Sequence, residues 1–183
     1  MAQYAVPISD IDSTGVTTNG SCGPSYTSCI DDGIDGGSQN SGTYAAIAAD
    51  FSNNGALKVN LTSLSDPDAG TKTLRIIQYT QAGFTVDLDV YLSDGTTTGK
   101  LTFTNSSFNT WEELSQTVTS DLDWSSLTLE MVSVNFGATI RVGDAELEIP
   151  DAGGGGGGGG ATADSVKLGN AGFTFRGSTS IGG

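Results

Sequence analysis

The chain has 183 residues, 36% hydrophobic and 15% charged, which suits one ordinary domain with extensions; its wealth of Gly, Ser, Thr and Asp favours an all-β body with many turns. Twenty-one acids against seven bases give a net charge of −14, a field that repels phosphate backbones and anionic headgroups, so neither nucleic acid nor a membrane is an expected partner. No stretch approaches the ~20 apolar residues of a membrane span, the N-terminus "MAQYAVPISDID" lacks the basic and apolar regions of a signal peptide, and the absence of histidine removes the usual base of catalytic triads.

Residues 1–55 carry "STGVTTNGSCGPS", "DDGIDGGSQNSG" and "SNNG", a density of turn formers that predicts an irregular N-terminal arm with loops. Within it, "GTYAAIAADF" at 42–51 reads as a short helix or a strand. Cys22 and Cys29 are separated by six residues including Gly and Pro. That loop can close into a disulfide or leave two free thiols; zinc would need two further ligands that the chain does not have.

From residue 56 the pattern changes to short runs of period two, the mark of half-buried strands. "ALKVNL" puts Leu57, Val59 and Leu61 on one face. "TLRIIQYT" alternates more weakly. "FTVDLDVYL" sets Phe84, Val86, Leu88, Val90 and Leu92 against Thr85, Asp87, Asp89 and Tyr91, so one face is dry and the other is solvated or in contact with a partner. "SDG" turns the chain and "KLTFT" returns with Leu101 and Phe103 inward. "TWEELSQTV" and "DLDWSSLTLEMVSV" follow. In "ATIRVGDAELEI" the apolar phase changes by one residue at Gly143, as a β-bulge requires. Seven strands without a long amphipathic helix predict an antiparallel β-sandwich or jelly roll over 56–150.

The chain then runs through eight glycines, Gly153 to Gly160, into "ATADSVKLGNAGFTFRGSTSIGG". Residues 151–160 read as a tether whose coil dimension is roughly 14–17 Å and whose extended reach is about 28 Å. No Lys-Ser/Thr follows, so the run is not a phosphate-binding loop. Residues 161–183 hold five isolated apolar side chains, Val166, Leu168, Phe173, Phe175 and Ile181, too few for a core. This segment carries Lys167 and Arg176 against Asp164, net +1, whereas residues 1–160 carry twenty acids against five bases, net −15. It is expected to be disordered or to dock as an arm, with Arg176 among the docking residues.

Candidate chemistry is sparse. Asp87 with Asp89, or Glu112 with Glu113, supply carboxylate pairs of the glycosidase type, but strand alternation makes the first pair a solvated face and points the second to opposite faces; no enzyme is expected. The acidic runs with Asp10 and Asp12, with Asp31, Asp32 and Asp35, and with Asp66 and Asp68 offer oxygens for calcium, yet none completes an EF-hand loop, and they read as turn formers. No metal or cofactor is expected. Tyr91, Trp111 and Trp124 are the candidates for stacking on sugar rings, against packing at the sandwich edges.

The stretch "LTSLSDPDAGTKTLRIIQYTQAGFTVDLDVYLSDGT", followed by "TWEELSQTVTSDLDWSSLTLEMV", resembles the β-sandwich domain of small virion proteins of tailed bacteriophages. The resemblance covers residues 56–149 and implies a structural component made in the host cytoplasm and carried on the virion. Its partner would be the major capsid protein or other virion proteins, and its form a homo-oligomer, with a trimer favoured. An acidic body with arms at both ends suits capsid decoration, in which the protein cements the outside of the assembled shell. The alternative is a tail or head fibre adhesin that binds host surface glycans through Tyr91, Trp111 or Trp124.

Overall fold

The computed structural model describes residues 3–19, 25–30, 43–49, 54–64, 71–81, 83–135 and 137–149. Its strands are β1 (Gln3–Ala5), β2 (Pro7–Thr14), β3 (Val16–Thr18), β4 (Ala45–Ala48), β5 (Gly55–Leu61), β6 (Lys72–Thr80), β7 (Asp87–Ser93), β8 (Thr98–Thr104), β9 (Trp111–Val118), β10 (Thr128–Ser133) and β11 (Thr139–Ile149). One 3-10 turn, Thr27–Cys29, lies between β3 and β4. Every pairing is antiparallel. One sheet runs β2-β5-β10-β7-β8, and the other runs β3-β4-β11-β6-β9 with β1 also on β11. The protein is an antiparallel β-sandwich of the jelly-roll kind.

Period-two alternation builds both inner faces. Leu57, Val59 and Leu61 of β5, Leu88, Val90 and Leu92 of β7, and Leu129 and Met131 of β10 meet Leu74 and Ile76 of β6 and Ile140, Val142, Ala145 and Leu147 of β11 in one buried cluster. Phe103 of β8 joins it, while Leu101 is only partly buried against it. The register of β11 on β6 shifts between Val142 and Asp144. The bulge at Gly143 therefore lets Val142 and Ala145, of opposite sequence parity, both face the core. Where the two sheets meet, Gln116 of β9 donates from Nε2 to the carbonyl of Thr102 in β8.

The irregular arm expected over 1–55 is replaced, over the described residues, by four strands that belong to both sheets. β2 pairs with β5, β1 and β4 pair with β11, and β3 pairs with β4. Residues 45–48 form a strand rather than a helix. The chain crosses from β2 to β3 at Gly15, whose φ is 63°, a conformation that favours glycine. Asp10 and Asp12, read as turn formers, lie instead in β2, and both oxygens of Asp10 accept hydrogen bonds from the distant 3-10 turn, from Tyr26 N at 2.8 Å and Thr27 N at 2.7 Å. Phe84, expected on the dry face, precedes β7 and is 50% exposed. Cys29 is buried and disulfide-bonded; Cys22, the chain's other cysteine, lies outside the described residues. So do the tether and the docking residues Val166, Leu168, Phe173, Phe175, Arg176 and Ile181.

Close approach of the sheets makes one glycine irreplaceable. A Cβ on Gly55 would stand 2.3 Å from the carbonyl oxygen of Ala48 and 2.6 Å from its carbon, backbone atoms that cannot swing aside. At Gly83 an added Cβ meets nothing within 4 Å. Gly55→Ala is expected to lower the denaturant midpoint by an amount comparable to a core truncation such as Met131→Ala, about 2–5 kcal/mol, while Gly83→Ala stays within about 0.5 kcal/mol of the parent. Urea unfolding of the three variants checks this.

Candidate functional site

The outer face of the five-stranded sheet carries the residues that alternation excludes from the core. Antiparallel register places Asp12 of β2 opposite Lys58 of β5, Lys58 opposite Glu130 of β10, Glu130 opposite Tyr91 of β7 and Tyr91 opposite Lys100 of β8. One row thus crosses all five strands at about 4.8 Å per step. Beside it runs a row of small polar side chains, Ser9, Asn60, Thr128, Ser93 and Thr98, aligned by the same pairings. Asn60 Nδ2 donates to Ser9 Oγ at 2.9 Å.

A depression of about 390 Å³ opens on these rows, lined by Tyr91, by the hydroxyls of Ser93, Thr98 and Thr128, by Asn54, by Lys58 and Glu130, and by Val132 and Val134. Its volume falls within the ~300–1,000 Å³ usual for small-molecule sites. A second, small depression of about 30 Å³ lies towards β2, lined by Asp12, Ser13, Thr14 and Ala56, and shares Lys58 and Glu130 with the first. The Lys58–Glu130 pair, 3.9 Å apart, therefore borders both.

Charges on this face are matched locally. Lys100 Nζ lies 2.7 Å from Asp89 Oδ2 and 5.7 Å from the centroid of the Tyr91 ring. The hydrogen bond to Asp89, working against the cost of desolvation, holds the Lys100 ammonium above its ordinary pKa. Thr102 Oγ1 donates to the other oxygen of Asp89 at 2.7 Å, so this mostly buried carboxylate is satisfied on both sides. Asp87, one step along β7, accepts from Thr104 Oγ1 at 2.6 Å. The expected carboxylate pair Asp87 and Asp89 is thus tied up in cross-strand bonds to β8.

Tight turn chemistry fixes the β7–β8 end of the depression. Asp94 Oδ1 accepts from Thr97 N at 2.7 Å, Thr96 N at 2.8 Å and Thr96 Oγ1 at 2.8 Å, and its Oδ2 accepts from Asp123 N at 2.9 Å. Ser93 Oγ donates to the carbonyl of Thr97 at 2.9 Å and lies 3.1 Å from Thr98 Oγ1. The two lining hydroxyls are therefore held in one geometry by the hairpin itself.

The three aromatic candidates stand in three places. Tyr91 lines the depression. Trp111 lies on β9 of the opposite sheet, 5.4 Å from Tyr79 and 5.9 Å from Tyr44 by ring centroids, with the Arg141 guanidinium 4.9 Å from Tyr79 and 5.0 Å from Tyr44. Trp124 is 8% exposed and belongs to the core cluster, with Lys72 Nζ 5.2 Å from its ring centroid. Glu112 accepts from Ser106 N and Oγ, whereas Glu113 pairs with Arg75 at 2.6 Å, so these two acids do not act as a pair either. Among the described residues no group of three or more His, Cys, Asp or Glu is arranged to hold a metal ion; Asp31, Asp32, Asp35, Asp66 and Asp68 lie outside them. Lys58, Glu130, Ser93, Thr98 and Thr128 were not singled out in the sequence, because only register brings them to Tyr91.

No family model and no curated protein sequence matches the chain. Solved structures of similar fold include an exo-β-1,3-galactanase from Phanerochaete chrysosporium with galactose, at a TM-score of 0.50 and 8% identity, over 81% of this chain and 29% of that one. The C-terminal CBM6 of a marine laminarinase from Zobellia galactanivorans gives 0.48 at 15% identity, covering 80% of this chain and 98% of that chain. A carbohydrate binding module of family 29 gives 0.48 at 13%, covering 83% and 95%. At these identities the likeness is one of fold.

The backbone donors that converge on Asp94, first Thr97 and then Asp123 and Thr96, hold its carboxyl well below the usual carboxylate range. A lowered value in the fold means that Asp94 contributes stability above the unfolded carboxylate value of about 3.9, and that this contribution disappears as the pH falls below it. Asp94→Asn is expected to lower the melting temperature near neutral pH and to flatten its decline below about pH 4, with a carboxyl-carbon NMR titration of the parent showing Asp94 still ionised at a pH below the ordinary carboxylate value.

Proposed function

We propose that the chain is a non-enzymatic glycan-binding domain, which takes a neutral saccharide on the outer face of the five-stranded sheet. The observation that carries this reading is Tyr91, set in a depression of hydroxyls and one amide between a glutamate and a lysine in register. An aromatic face packs against the C–H face of a pyranose, and neighbouring hydroxyls, amide and matched charges both donate and accept, as sugar hydroxyls require. Lys58 with Glu130 and Lys100 with Asp89 leave neither lysine of the row without an acid, so the face is not built to select an anionic ligand.

The same arrangement argues against hydrolysis. Acid–base cleavage of a glycosidic bond needs two carboxylates facing an open space, and here Lys58 stands between Asp12 and Glu130. The galactanase of similar fold was crystallised with galactose; that likeness supports the architecture only, and the ligand class is inferred from the site.

Display on a virion is a separate proposal. It rests on the resemblance of residues 56–149 and on the tether and arm at 151–183, with the major capsid protein as partner and a trimer as the form. Occupancy of the protein on particles, imaged at low resolution, tests it independently of any glycan.

A glycan array is expected to yield neutral oligosaccharide ligands, with Tyr91→Ala weakening the best of them at least about tenfold, roughly 1.4 kcal/mol, at unchanged melting temperature. Trp111→Ala, on the opposite sheet, should leave that affinity as it was. Absence of any ligand in the parent, or equal binding by Tyr91→Ala, would remove the proposal.

A further inference from the structure

The exposed apolar side chains are not spread evenly. Of the six large hydrophobics exposed among the described residues, three, Tyr4 (49%), Ile8 (56%) and Ile11 (46%), fall on β1 and β2. β2 is an edge strand, hydrogen-bonded to β5 alone within its sheet. Its register on β5 shifts twice, between Pro7 and Ser9 and between Asp10 and Asp12, and the residues inserted at those two bulges are Ile8 and Ile11. A bulge normally blunts an edge against strand addition, often with a charge or a proline. Here each one presents an isoleucine to solvent, so what the edge offers is a patch of apolar side chains.

The end of β11 lies at this patch. Ile149 pairs with Gln3 and Glu148 with Tyr4, and only Val6 separates β1 from β2. The described chain therefore ends beside β1, a few residues along the chain from Ile8. Sixteen residues separate Ile149 from Val166, a span of up to about 55 Å when extended, far more than is needed to return along β2. The segment beyond the glycines brings Val166, Leu168, Phe173 and Phe175 with a net charge of +1 against a body of −15, and β2 contributes two of that body's acids, Asp10 and Asp12.

We propose that residues 161–183 dock in cis on this patch, with Phe173 and Phe175 covering Ile8 and Ile11. Tethering makes the contact intramolecular, at an effective concentration on the order of millimolar, so a modest apolar contact suffices to keep it closed.

Trypsin cleavage after Lys167 and Arg176 reads the docked state directly. In the full chain both sites should be cut about tenfold more slowly than in Ile8→Ser/Ile11→Ser, and the protection should survive a roughly hundredfold dilution, as an intramolecular contact does. Equal cleavage in the two proteins overturns the proposal, and protection lost on dilution assigns the patch to a second copy and overturns it as well. A companion measurement leaves the sandwich untouched: Phe173→Ser/Phe175→Ser should move the δ1-methyl NMR resonances of Ile8 and Ile11 but not those of the core residues Ile76 and Ile140. Unmoved Ile8 and Ile11 methyls count against docking.

Discussion

Side chains alternate across a strand, and the rest of the molecule follows from that constraint. Once Leu57, Val59, Val90, Leu92, Leu129 and Met131 are committed to the core, the residues between them are committed to the opposite face. Antiparallel register then decides which of those stand together. Lys58, Glu130, Tyr91 and Lys100 come from four strands and form one row only because each strand pairs as it does. A slip of one residue in β10 would bury Glu130 and break the row in the same step, so the forces that fix the core also fix the site.

The two outer faces use charge differently. On the six-stranded sheet, Arg75 meets Glu113 at 2.6 Å, Glu146 at 3.1 Å and Glu148 at 3.6 Å. Burial disfavours its charged form, yet the hydrogen bond to Glu113 and the three carboxylates together hold its pKa above the ordinary value. One cation thus serves three acids at this point, while the sheet's Arg141 stands apart over Tyr44 and Tyr79. On the five-stranded sheet each lysine has one near acid, Lys58 with Glu130 and Lys100 with Asp89, while Asp12 and Asp87 accept from Ser13 N and Thr104 Oγ1 instead. In a chain of net charge −14 both lysines of that row are thus already paired beside the depression.

Strands β5 to β11 are legible in the sequence as short runs bounded by turn residues, with clear alternation in β5 and β7 and a weaker one in β6, and the bulge at Gly143 is legible as a change of phase. β1 to β4 are not. β2 reads "PISDIDST", in which two inserted residues destroy the period, and β1, β3 and β4 span only three or four residues each. β1 and β4 pair with β11, β2 with β5, and β3 with β4, and that pairing makes them strands more than any local propensity does. Tyr91 is visible in the sequence as a ring on a polar face. The fates of Trp111 and Trp124 depend on what packs beside them, Tyr79 and Tyr44 in one case and the core in the other, and no local pattern encodes that.

A saccharide-binding face of the kind proposed, made of sheet, has an energetic consequence. Hydrogen bonds exchanged between a solvated sugar and a solvated protein contribute little net free energy, about 0.5–1.5 kcal/mol each, and much of that is lost if side chains must be immobilised on binding. Here part of that immobilisation precedes any ligand: Ser93 and Thr98 are held by the hairpin that Asp94 closes, and Lys100, beside the Tyr91 ring, is held by Asp89. Tyr91, with two rotatable bonds, supplies apolar area at low entropic cost. Selectivity on such a face comes from the spacing of its rows, since a ligand whose groups repeat near the strand spacing of about 4.8 Å meets one charged or aromatic group and one hydroxyl or amide at each step, while a ligand of different repeat leaves some of those groups unpaired.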